Sequence, residues 1–219
     1  LDLEPPSKVL FPPYDMLFVL ADIRQNLASH LKCWEEAADS IRPVLALYFA
    51  QLRESRIYLE NRFLSLIQAV EAYHRRRLSK PELLEEKHKA RVQEILNAVP
   101  VHYRRWLEAH LERSNEPKLP KRLSDICKRY GTIMRQVSKK RSWIDTAVEI
   151  RNALVHQKED ARQFEIDEII TISERLKLLL DLCLLTEAGF AATDIELLIN
   201  RYWRRNPPLL AIDSKRMML

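Results

Sequence analysis

Glycine is almost missing from this 219-residue chain: only Gly131 and Gly189 occur. Turn-rich β architectures need many more positions of positive φ than two, so the fold is expected to be all-α. The same scarcity excludes the glycine-rich phosphate loops of P-loop and Rossmann nucleotide sites. Cys33, Cys127 and Cys183 are far apart, odd in number and form no CxxC pair. They suggest neither a disulfide framework nor a zinc cluster, and a reducing cytoplasm is the expected location. No HExxH sequence occurs. Long apolar runs are missing too: "LKLLLDLCLL", 176–185, carries Lys177 and Asp181 and is too short to span a bilayer, and the N-terminus has no signal-peptide pattern. A soluble protein without a membrane partner is expected.

What is present is material for helical packing. Hydrophobic residues make up 47% of the chain, enough for one generous core or two small ones. The net charge of +5 favours anionic partners such as RNA without requiring them. Numbering starts at Leu1 rather than at a methionine, which suggests a trimmed chain or the C-terminal piece of a longer protein, with an upstream sensor domain left out.

Prolines and caps divide the sequence into segments. "LDLEPPSKVLFPP" has four prolines in thirteen residues and favours an extended strap. Helices are expected over 14–39 and 43–55, with Pro43 in a first turn. A longer one over 57–79 keeps Leu59, Phe63, Leu66, Ile67, Val70 and Tyr73 in register as an apolar stripe. Further helices are expected at 81–98, 101–114 and 121–138, the last open to interruption at Gly131. Ser142 and Asp145 resemble a capping box that starts a helix at 143. A strongly apolar helix at 166–188 and another over "TDIELLINRYWRR" complete the series. The organisation expected is an N-terminal strap and helices over 1–56, a helical domain over 57–205 and an irregular tail over 206–219.

One stretch carries chemistry. In "EIRNALVHQKED", 149–160, Asn152 and His156 are i and i+4 and share a helix face. On the same wheel Trp143, Ile144, Ala147, Val148, Ile150, Leu154 and Val155 mark the apolar side, and Arg151 falls inside that sector. An inward guanidinium is costly unless it meets a carboxylate, an anion or a wet groove. Arg-x4-His alone proves little, because Arg105 and His110 repeat it. The adjacent asparagine separates the two: Arg205-Asn206 is the only other Arg-Asn pair, and a histidine four residues beyond either would arise by chance about 5% of the time. Read as residues alone, the trio has a plainer alternative, with His156 favouring the dipole at a helix C-terminus and Arg151 serving as a structural ion-pair partner.

The motif resembles that of the HEPN domains, in particular the Apea-like HEPN domains of bacterial anti-phage systems. Their mark is Arg, a polar residue, three variable residues and His, which "RNALVH" matches as Arg151, Asn152 and His156. "FLSLIQAVEAYHRRR", 63–77, is similar to the helix that precedes the motif helix in such members. The likeness covers roughly 57–190. It implies an all-α HEPN-like helical bundle with additional N-terminal helices, acting as an endoribonuclease that needs no metal and no other cofactor. It also implies a homodimer or higher homo-oligomer that brings two motifs into one cleft. The alternatives are a non-catalytic helical dimerisation or interaction module and the toxin of a toxin–antitoxin pair.

The chemistry suits those residue types. Attack by the ribose 2′-hydroxyl on the adjacent phosphorus needs a proton carrier that works near neutrality, and His156 is the choice. Arg151 binds the phosphoryl oxygens as their charge builds, and Asn152 orients the histidine or the ribose. Glu71 is expected to pair with Arg151 across the bundle, and His74 lies in the apolar stripe as a secondary candidate, more commonly a core histidine. Arg75, Arg76 and Arg77 in "HRRRLSK" are candidates for attracting RNA, against the plainer reading of a solvated helix end. "VHYRRWLEAH", 101–110, mixes aromatics with arginines as single-strand binders do. Its periodicity favours packing, with Val101, Tyr103, Trp106, Leu107 and Leu111 turned inward. "NRYWRR", 200–205, has the same ambiguity.

Overall fold

The computed structural model describes residues 16–53, 58–138, 142–156 and 163–206. Among them are eleven helices and no strand: α1 (Leu20–Ile23), α2 (Leu27–Ala38), α3 (Arg42–Arg53), α4 (Leu59–Arg77), α5 (Glu85–Ala98), α6 (Val101–Leu111), α7 (Leu119–Arg129), α8 (Gly131–Val137), α9 (Ser142–His156), α10 (Ile166–Glu187) and α11 (Ala192–Arg205). The proline-rich strap and the tail lie outside the described residues.

Helix α4 is the axis. Its apolar residues recur at helical spacing, and Phe63, Leu66, Ile67, Val70 and Tyr73 are all buried, so the stripe read from the sequence is the core face. α3, α10, α7 and α9 pack around it. α10 is buried on most of its circumference, as expected of a helix apolar nearly all round. α4 and α10 run in the same direction: Arg62, in the first turn of α4, pairs with Glu174, and Arg77 at its end pairs with Glu187 at the end of α10. Ile41, Val44 and Tyr48 of the preceding segment lie in the same hydrophobic cluster. No described helix is long and apolar enough to cross a membrane.

Helix ends follow local chemistry. α10 stops in a Schellman motif, with the N–H of Gly189 bonded to the carbonyl of Thr186 and that of Phe190 to Leu185. Gly189 has φ +85°, a conformation that side chains other than glycine's disfavour. The helix expected over 121–138 is two, α7 and α8, which meet at Tyr130 and Gly131. Within the one expected over 14–39, of which 14 and 15 lie outside the described residues, 16–19 are not helical and the helix that begins at Leu20 breaks after Ile23. There Asp22 accepts the N–H of Val19 and both guanidinium nitrogens of Arg201, which fixes a single turn against α11.

Helices α5 and α6 form a hairpin that packs chiefly on itself. α5 buries only Leu96 and α6 buries nothing. The inward placement expected for Val101, Tyr103 and Trp106 is therefore corrected: they are 75%, 54% and 61% exposed. Of the five expected inward, only Leu107 and Leu111 are partly buried, because a two-helix contact is too narrow to bury a wider stripe. At the hairpin's base Asn115 accepts the N–H of Leu83 and donates to its carbonyl.

Candidate active site

Helix α9 presents the motif. Trp143, Ile144, Ala147 and Ile150 are buried against the bundle, which fixes the helix about its axis. Asn152 and His156 then face outward and are exposed. Val155, expected on the apolar side, is 48% exposed: it lies at the edge of the apolar sector, and in that turn Leu154 is the residue packed against the core. Arg151 sits at the rim of the buried face and is half-buried.

The guanidinium of Arg151 donates from Nη1 to Oδ1 of Asn152 at 3.1 Å. A guanidinium has no acceptor atom, so the amide oxygen must face it and Nδ2 is left as an outward donor. The expected ion pair with Glu71 is corrected by this arrangement: although α9 packs on α4, no ion pair joins Glu71 to Arg151 among the described residues. A half-exposed guanidinium keeps part of its hydration and does not require a buried counter-charge. Glu71 is itself only half-buried.

His74 is fully enclosed on α4, with Nε2 3.3 Å from Oδ2 of Asp125 on α7. Burial pushes its pKa down, helped by the charges of Arg122 and Lys121, while Asp125 works the other way. A ring walled in this way ties α4 to α7 and does not reach solvent. Asp125 also accepts both hydrogen bonds of Lys121, one turn before it. Asp125 carries no signal of this role in the sequence. The Lys121-x3-Asp125 spacing was visible, but nothing local pointed to a partner 51 residues earlier.

The three arginines after His74 are less alike than their run suggests. Arg75 pairs with Glu116 at 3.8 Å and Arg77 with Glu187 at 2.8 Å, whereas Arg76 is exposed with no ion pair among the described residues. In "NRYWRR", Trp203 packs against the core and Arg201 grips Asp22, so packing accounts for that segment. Cys33 and Cys127 are partly exposed, and Cys183 is buried.

Two cavities lie near these elements. One of about 610 Å³ opens at the N-terminal end of α9, where Glu165, Asp167 and Glu168 line it. That is the wrong sign for a polyanion, and it lies about 20 Å along the helix from His156. The other, about 330 Å³, is walled by apolar residues including Phe18, Trp34 and Phe190. Neither of these two is lined by Arg151, Asn152 or His156.

Comparison with curated proteins and with solved structures returns no match. The family model described as Apea-like HEPN matches residues 64–194, a span that includes Arg151, Asn152 and His156, and the chain belongs to the Apea-like HEPN family.

Proposed function

We propose that this chain is an endoribonuclease of anti-phage defence that cuts RNA without a metal ion, using motifs from two subunits in one composite site. The observation that carries the reading is the placement of Asn152 and His156 on the exposed face of α9, with Arg151 held beside them by the amide of Asn152. An open site with a single histidine is half of what the reaction needs. In the step proposed, His156 takes the proton from the ribose 2′-hydroxyl as its oxygen bonds to phosphorus. The P–O5′ bond breaks, and His156 of the partner subunit gives a proton to the departing 5′-oxygen. Arg151 binds the phosphoryl oxygens, whose negative charge grows in the transition state. The products are a 2′,3′-cyclic phosphate and a 5′-hydroxyl.

Two features support a shared site. The exposed Val155 sits between Asn152 and His156 and would lose water in a contact between copies of α9, and closed two-fold dimers are the commonest oligomers. The test is to incubate the protein with single-stranded RNA in EDTA and to look for 2′,3′-cyclic phosphate ends. His156→Ala is expected to lower the rate by a factor of about 10²–10⁴ with folding unchanged. Equal cleavage by the variant would assign the activity to a contaminant and leave a helical interaction module. Activity per chain should also fall when the protein is diluted to monomer.

A further inference from the structure

We infer that the outer face of α6 is a stacking platform for unpaired bases, an RNA-binding surface separate from the Arg151–His156 motif. Four rings share that face: His102, Tyr103, Trp106 and His110 fall within about 100° of one another on the helical wheel, and all four are exposed. They sit in two touching pairs. The centroids of His102 and Tyr103 are 4.0 Å apart and those of Trp106 and His110 are 4.4 Å apart. The Nδ1 of His110 is bonded to the carbonyl of Trp106, which fixes the second pair against the helix. Bases of any identity stack on such rings, because every base has a π-face.

The composition of the face favours nucleic acid over a protein partner. α6's leucines, Leu107 and Leu111, turn toward α5, so this face presents rings with polar edges, and the exposed Val101 lies at least about 100° away from each of them on the wheel. Rings of this kind also suit the core of a protein interface, so the choice between the two partners rests on charge. Arg105 is exposed on the same helix, and Glu108 is its only acidic residue. Arg104 is already committed, donating from Nε to the carbonyl of Val99 at 3.0 Å and so holding the turn between α5 and α6. Among the described residues the ring contacts of Tyr103 and Trp106 are with the histidines of their own helix, and both rings stay more than half exposed. The hairpin that carries them adds almost nothing to the core.

The inference rests on the reading of this chain as one that acts on RNA, and the test separates the two. Binding of a short fluorescent single-stranded RNA of mixed sequence is measured by anisotropy on the full chain carrying His156→Ala, so that nothing is cut. Tyr103→Ala with Trp106→Ala is expected to weaken binding about a hundredfold, with helicity unchanged by circular dichroism and with Trp106→Phe recovering much of the loss. Duplex RNA, whose bases are not free to stack, should bind the parent and the variant equally. Unchanged affinity for single strands would overturn the inference. So would a loss that follows dissociation of the oligomer in sedimentation and vanishes at protein concentrations that restore it, since the face would then join copies of the chain. Should the unsubstituted protein yield no cyclic phosphate ends while binding still depends on the rings, the ribonuclease reading falls and the platform stands.

Discussion

Tyr48 on α3 donates its hydroxyl to the buried carboxylate of Asp181 on α10, whose other oxygen accepts Lys177 Nζ at 2.8 Å. Burial works against the charge on Lys177, but the Asp181 carboxylate outweighs it and holds the ammonium's pKa above its usual range. Tyr48→Phe leaves one carboxylate oxygen without its donor and should cost about 1–3 kcal/mol in chemical denaturation. Asp181→Ala orphans a largely buried ammonium and should cost about 3 kcal/mol or more. Combining Tyr48→Phe, Lys177→Met and Asp181→Leu in one variant removes every polar partner together and should recover most of that loss.

Acid should weaken the contact between α4 and α7 in two stages. The pKa of His74 is lowered in the fold, by burial first, so below about pH 6.5 the unfolded chain binds a proton that the folded chain does not. Stability is therefore complete above that pH and declines as pH falls toward the folded value. Asp125, whose pKa the Lys121 and His74 contacts lower despite burial, adds a second loss below about pH 3.8. In urea titrations at successive pH values, His74→Gln should remove the first decline and keep the second.

The left-handed turn after α10 should tolerate no side chain. A Cβ on Gly189 would stand 2.9 Å from Sγ of Cys33 and 3.2 Å from its Cβ, in addition to the strain at φ +85°. Gly189→Ala is expected to lower stability by about 2 kcal/mol. Adding Cys33→Ala should return only the part due to the sulfur, which thermal unfolding of the two variants would resolve.

Within the motif, substitutions should separate chemistry from folding. Arg151→Lys keeps the charge but loses the planar fork, so cleavage should fall about tenfold or more while the melting temperature holds. Asn152→Ala should lower kcat by a smaller factor, since it removes the oxygen that holds Arg151 and leaves the guanidinium itself. If Arg151→Lys cleaves as fast as the parent, a two-pronged grip on phosphate is not part of the reaction.

Much of this was legible in the sequence. The stripe from Phe63 to Tyr73 named the central helix because its period matched 3.6 residues, and the family span of 64–194 lies close to the 57–190 read from "FLSLIQAVEAYHRRR" and "RNALVH". What failed depended on partners. Periodicity says that Tyr103 and Trp106 share a side with other apolar residues, but not whether anything lies against that side. The wheel likewise places Val155 inward, when it sits at the edge of the apolar sector and Leu154 takes the contact with the core. The break after Ile23 was hidden because its cause, Arg201, lies 179 residues away from Asp22.

The match to the family begins at residue 64, yet Ile41, Val44 and Tyr48 already fill the interior that α4 and α10 share. A fragment cut at the family's boundaries would therefore open a raw apolar wound along both helices and strip Asp181 of its phenol. The segment ahead of the match also reaches the far end of the chain, where Asp22 clasps Arg201. Anyone producing this protein in pieces should expect aggregation unless those earlier helices travel with it.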